Sequence, residues 1–119
     1  MGTEGRDVIF GTSGADVIVA LGGNDIILGR AGDDVICAGD GNDHVFGGPG
    51  DDTILGEEGR DFLFGESGDD DLYGGPGSDH LYGGPGNDDL YGGDDRDFCS
   101  GGQGHDTASS CERGVWWWW

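Results

Sequence analysis

Twelve aspartates stand nine residues apart along almost the whole chain: Asp7, Asp16, Asp25, Asp34, Asp43, Asp52, Asp61, Asp70, Asp79, Asp88, Asp97 and Asp106. A carboxylate at constant spacing can hold a proton or a cation, but nothing beside these equips them for catalysis. His44, His80 and His105 follow no metal-ligand spacing, and neither an H-E-x-x-H nor a G-x-S-x-G segment occurs. Glycine-rich turns invite a phosphate-loop reading, yet the chain has no lysine, and a formal charge of −20 repels phosphate and nucleic acid alike. The acids therefore read as the binding groups of a chain that is not an enzyme. Their mutual repulsion calls for counter-ions.

The elements that position them follow from the same period. Counting positions one to nine from Gly2 gives twelve copies up to Ser109 without insertion or deletion. A repeat of this kind governs the fold. Position six is always Asp, and position eight is small or apolar, from Ile9 and Ile18 to Cys99 and Ala108. Position four is Gly in all copies but one, where Asp95 stands, and position one is Gly except at Ala20 and Ala38. Glycines at one and four, and often at two, predict a tight turn over the first six residues. The last three residues are too few for a helix and rich in β-branched and aromatic types, so they predict a very short strand. Alternation sends position eight to one side and positions seven and nine to the other. One inward residue in nine makes a core only if the copies stack, two to a coil.

The pattern G-G-x-G-x-D-x-U-x, written most fully in Gly83-Gly84-Pro85-Gly86-Asn87-Asp88-Asp89-Leu90-Tyr91, resembles the RTX, or haemolysin-type, calcium-binding repeats. The resemblance covers residues 2–109 and implies an all-β fold: a right-handed parallel β-roll, or β-solenoid, of twelve nonapeptides in about six coils. It also implies that calcium lies between turns two copies apart. Its ligands would be the twelve position-six aspartates and backbone carbonyls of turn residues such as Gly48, Gly50, Gly75, Gly77, Gly84 and Gly86. Pairing each turn with the turn two copies on gives about ten ions, whose charge would offset the −20 of the chain. Oxygen ligands favour calcium over zinc or copper, and magnesium prefers a stricter octahedron. A 119-residue chain with 29 glycines and so thin a core is expected to be disordered without metal. Binding free energy would then be folding free energy. Extracellular calcium sites work at about 10⁻⁴–10⁻³ M, so the resemblance implies a module of a secreted bacterial protein, exported unfolded and folded outside. No cleavable N-terminal signal and no apolar run long enough to span a membrane is evident. The chain reads as a module of something longer.

Departures from the pattern carry their own expectations. Thr3, Thr12, Leu21 and Arg30 replace the second turn glycine and predict looser N-terminal turns. Val8, Val17, Ile26 and Val35 at position seven, with Phe10, Val19, Leu28 and Phe46 at position nine, predict unusually apolar outer faces there. Such residues serve as cross-strand ladders or as a surface for self-association. Open coil ends offer a second route, end to end, to an extracellular structural or adhesive fibre. Asp33, Asp51 and Asp69 share position five and are candidate secondary ligands, while Arg6, Arg60 and Arg96 in the same column screen neighbouring carboxylates. Cys37 and Cys99 are three and a half coils apart, roughly 17 Å, so Cys37 is expected to stay unbridged. Cys99 and Cys111 are either bridged or two free thiols. Residues 110–119 leave the repeat as a cap and tail. Ser110 to Val115 is expected to fold over the open end, and the Trp116–Trp119 run is compatible with an added tag, an engineered cap or an assembly element.

Overall fold

The computed structural model describes residues 2–111 and the backbone of 113–114; the Trp116–Trp119 tail lies outside the described residues. Each copy yields one three-residue strand at positions seven to nine. In chain order these are β1 (Val8–Phe10), β2 (Val17–Val19), β3 (Ile26–Leu28), β4 (Val35–Cys37), β5 (His44–Phe46) and β6 (Thr53–Leu55), then β7 (Phe62–Phe64), β8 (Asp71–Tyr73), β9 (His80–Tyr82), β10 (Asp89–Tyr91), β11 (Phe98–Ser100) and β12 (Thr107–Ser109). All pairings are parallel and in register at a separation of two copies, as in Val45 opposite Leu63 and Leu63 opposite Leu81. Odd strands form one sheet and even strands the other. The chain is thus a β-solenoid with turns along two edges, as the nine-residue period requires.

Position eight is the only side chain of each strand that points between the sheets. From Ile27 to Cys99 these residues are fully buried, while Ile9 and Ala108 at the two ends are only partly covered. Ala20 and Ala38, which replace turn glycines, also lie in this core. Leu63 stands mid-stack between Val45 and Leu81. Leu63→Ala is expected to cost about 2–5 kcal/mol, because rigid neighbouring coils cannot collapse into the space. Urea unfolding at saturating calcium measures the loss.

The C-terminal end departs from a segment folded across the opening. Residues Arg113–Gly114 form a further strand, β13, which pairs in parallel with β11, Phe98 opposite Arg113. The sheet simply grows by another half-coil, because a strand edge left open offers unpaired N–H and C=O groups to the next segment of chain. Cys99 and Cys111 form a disulfide with a Cα–Cα distance of 6.0 Å, and Cys37 is a free thiol. The bridge ties the core of the eleventh copy to the segment that leads into β13.

Candidate metal sites between the turns

Each turn is shaped by two residues in left-handed backbone conformation. Position two has positive φ in every copy from the third onward, whether glycine or not: Leu21 at 76°, Arg30 at 72°, Glu57 at 72° and Glu66 at 71°. Leu21 and Arg30 therefore take the same turn as glycine at a strain cost, so the expected loosening there is absent. It is confined to the first two copies, where Thr3, Gly5, Thr12 and Gly14 lie outside the positive-φ set. Position four has positive φ from Gly23 to Gly104, including Asp95 at 72°.

These conformations aim carbonyl groups along the solenoid axis. A Cβ placed on Gly39 would meet the carbonyl oxygen of Leu21 in the coil before, and one on Gly41 would meet that of Gly23. The same holds mid-stack, where Gly77 faces the Gly59 carbonyl and Gly86 that of Gly68. None of these oxygens accepts one of the inter-coil backbone hydrogen bonds, whose acceptors lie at positions three, six and nine. Every coil thus presents unspent carbonyl oxygens to the next.

The position-six carboxylates also lie between the coils, beside position-one carbonyls: a Cβ on Gly29 would stand 2.8 Å from both Asp34 Oδ2 and the Gly47 carbonyl oxygen. Oδ1 of each aspartate from Asp25 to Asp106 accepts the backbone N–H of the aspartate two copies earlier, at 2.7–2.9 Å, giving ten such bonds from Asp7 N–Asp25 to Asp88 N–Asp106. The second oxygen turns inward. In Asp25, Asp34, Asp43, Asp52, Asp61, Asp70, Asp79, Asp88 and Asp106, Oδ2 is buried without a hydrogen-bond partner. Where position one is glycine, it rests against that residue of its own copy, so that a Cβ on Gly47 would stand 2.6 Å from Asp52 Oδ2. A buried charged oxygen without a partner is costly. Burial accordingly pushes the Asp61 carboxyl up to about 9, with Asp79 and Asp43 on either side adding repulsion. For the same first reason, burial, Asp70 rises to about 8 and Asp43, Asp52, Asp79 and Asp88 to about 7.

Asp7 and Asp16 stand apart from this row. Each carboxylate folds onto its own turn: Thr3 N and Thr12 N donate to Oδ2 at 2.6 Å, and the threonine hydroxyls donate as well. Gly5 N and Gly14 N then donate to those hydroxyls at 3.1 Å. This closed turn explains why threonine replaces glycine in these two copies.

Position five carries a second ladder that the sequence reading missed. Oδ1 of Asn24, Asp33, Asn42, Asp51, Asp69 and Asn87 accepts the position-five N–H two copies later at 2.8–2.9 Å. It runs in the opposite sense to the position-six row. The recurrence of Asn or Asp at this position in both edges was its signal. Arg60 takes part through its backbone N–H, and Asp33, Asp51 and Asp69 have an oxygen committed to this outer seam.

Among the described residues no three His, Cys, Asp or Glu side chains converge on a point. A soft-metal cluster of the zinc type is thereby absent from this region, and any ion in the gap must draw on backbone oxygens with one or two carboxylates. A profile of the RTX calcium-binding nonapeptide repeat (4 copies) matches residues 1–36, 38–72 and 73–108. The chain belongs to this family. No curated protein matches it. The RTX assignment agrees with the donor set: an unpaired carboxylate oxygen, axial carbonyl oxygens and a charge deficit in each gap are the hard, oxygen-only surroundings that calcium selects. The position-six carboxylates beside position-one carbonyls are oxygen donors of the kind calcium takes, and further carbonyl oxygens point between the coils at positions two and four. Glycines 48, 50, 75, 77, 84 and 86 occupy those positions. No helix occurs among the described residues, and none is long and apolar enough to cross a membrane.

Proposed function

We propose that residues 2–109 are a calcium-folded β-roll of a secreted bacterial protein, disordered where calcium is scarce and ordered in the extracellular space by about ten ions. The single observation that carries this reading is the row of buried aspartates whose Oδ2 has no partner while carbonyl oxygens of the neighbouring turn point into the same gap. A fold with nine such aspartates is self-repelling at neutral pH unless a cation enters between the coils. Calcium supplies positive charge to the gap when bound; the chain itself supplies the oxygens, the coil spacing and the exclusion of water. Beyond the repeats, the Cys99–Cys111 bridge fastens the chain to the eleventh copy, and Arg113–Gly114 add a strand beside β11.

Calcium binding measured by calorimetry, alongside far-ultraviolet circular dichroism and repeated with magnesium, tests the reading. About ten calcium ions taken up together with a β signal, and no comparable response to magnesium, is the expected result. A chain that binds no calcium while remaining β-structured would sink it. The row also predicts a contrast between the middle and the end of the solenoid. Asp61→Asn keeps an oxygen for the Asp43 N–H but removes the charge, and is expected to lose one ion. That loss corresponds to about 1.4 kcal/mol of stability at a tenfold excess of calcium over Kd and about 2.7 kcal/mol at a hundredfold excess. Asp7→Asn, in the self-closed turn, is expected to leave both stoichiometry and stability nearly unchanged.

A further inference from the structure

The outer faces of the two sheets differ in a way the metal sites do not account for. On the seven-stranded sheet, positions seven and nine from β1 to β11 carry no carboxylate, although the chain has 25 acidic residues. The six-stranded sheet carries Asp71 and Asp89 on its outer face. The rings of the first sheet are stacked along the axis. His44, Phe62 and His80 follow one another at 4.9 and 4.6 Å between centroids, and Phe46, Phe64 and Tyr82 at 4.9 Å, with interplanar angles of 4–14°. At the N-terminal end Val8 and Phe10 are 58% and 59% exposed.

We propose that this face binds the same face of a second copy of the chain, giving a reversible two-fold dimer of the folded roll. Three considerations select that occupant. In a molecule of charge −20, two copies can approach only where neither presents carboxylates, and this face meets that condition along its whole length. Ring stacking turns the aromatic faces toward their neighbours and leaves edges outward, so a sugar ring finds no flat platform. The outward rows repeat at the strand spacing of about 4.8 Å, and another sheet with that spacing can interdigitate with them at every row. Six rows of three residues cover roughly 29 by 10 Å in plan. Two such faces amount to roughly 580 Å² in plan, the size of a weak, reversible contact and well short of an obligate dimer. The dimer rests on the calcium reading in one respect: it requires a folded face and neutralised edges, so association appears only with calcium.

Sedimentation velocity from about 5 to 500 µM chain, a range that brackets micromolar affinity, tests this, with circular dichroism on the same samples. Dimer in calcium and disordered monomer in chelator is the expected pair of results. Phe62→Glu, mid-face, and Val8→Glu, where little packing is lost, are each expected to weaken the dimer at least tenfold. Val17→Glu, 64% exposed on the opposite sheet, is expected to leave it unchanged. A β-structured monomer across the whole range overturns the proposal, as does equal weakening by Val17→Glu. A β-structured monomer captured by phosphatidylcholine vesicles, and released by Val8→Glu, would make the face a lipid-binding surface and overturn the second copy as its occupant. A chain that stays disordered at every calcium concentration overturns the calcium reading and the dimer with it, and its spectrum distinguishes that failure from a folded monomer.

Discussion

In buffer stripped of calcium, the chain is expected to show a β spectrum near pH 4 and to lose it as the pH is raised to 8. Six buried carboxyls drive this. Asp61 titrates at about 9 in the folded chain, Asp70 at about 8, and Asp43, Asp52, Asp79 and Asp88 at about 7, against an ordinary 3.8, first because burial disfavours the charged form. A folded pKa above the unfolded one means that the folded chain holds more protons between the two values. The stabilisation is therefore complete below 3.8 and is lost as the pH climbs through 7 and then through 8 and 9. Protons and calcium satisfy the same oxygens, so adding calcium at pH 8 is expected to restore the β signal and to release few protons from a chain already ionised. At pH 6 folding by calcium releases none from the unfolded chain but displaces those held by the folded one. A metal-free chain that is fully folded at pH 8 would show that core packing alone holds the roll.

The second large effect belongs to the turn glycines rather than to the acids. Gly59→Ala is expected to destabilise the roll by more than about 3 kcal/mol, a substantial part of the 5–15 kcal/mol typical of a folded domain. Gly59 has φ of 118°, and its added Cβ would stand 2.6 Å from the Gly41 carbonyl carbon and closer still to its oxygen. Backbone strain of about 1–3 kcal/mol adds to this overlap. Nothing flexible can yield, since the obstructing atoms are the backbone of the adjacent coil. Relief requires the two coils to separate, which breaks the Gly41 N–H bond to the Glu58 carbonyl at 3.0 Å and displaces the Gly41 carbonyl that points between them. Both the urea midpoint and the calcium affinity are expected to fall. Glu57→Gly, two residues earlier, is the matching control. It removes the strain of a non-glycine residue at φ 72° while adding chain entropy to the unfolded state, and the net change is expected within about 1 kcal/mol. Thermal unfolding at saturating calcium separates the two variants.

The nine-residue period was sufficient to place the strands β1 to β12, to assign position eight to the core and to mark position six as the special polar column. These are consequences of one copy and its immediate neighbours. Leu63 points inward because a strand alternates, and Gly59 turns because only glycine takes φ of 118° without strain. The apolar outer face near Val8 and Phe10, and the unbridged Cys37, were equally legible from spacing. Sequence marked the first four copies as different by Thr3, Thr12, Leu21 and Arg30, but only the structure confined the difference to the first two.

What only the tertiary structure decided concerns partners eighteen residues apart. Spacing says that Asp61 has equivalents in the copies above and below, but not that its Oδ1 takes the N–H of Asp43 while its Oδ2 is left without a partner. Nor does it say that the position-five ladder runs the other way, from Asn42 to Arg60, or that Asp7 and Asp16 close on Thr3 and Thr12 of their own turns. A repeat determines the conformation of each copy. The direction in which hydrogen bonds pass between copies, and whether a carboxylate serves a neighbouring coil or its own turn, depend on how the coils stack.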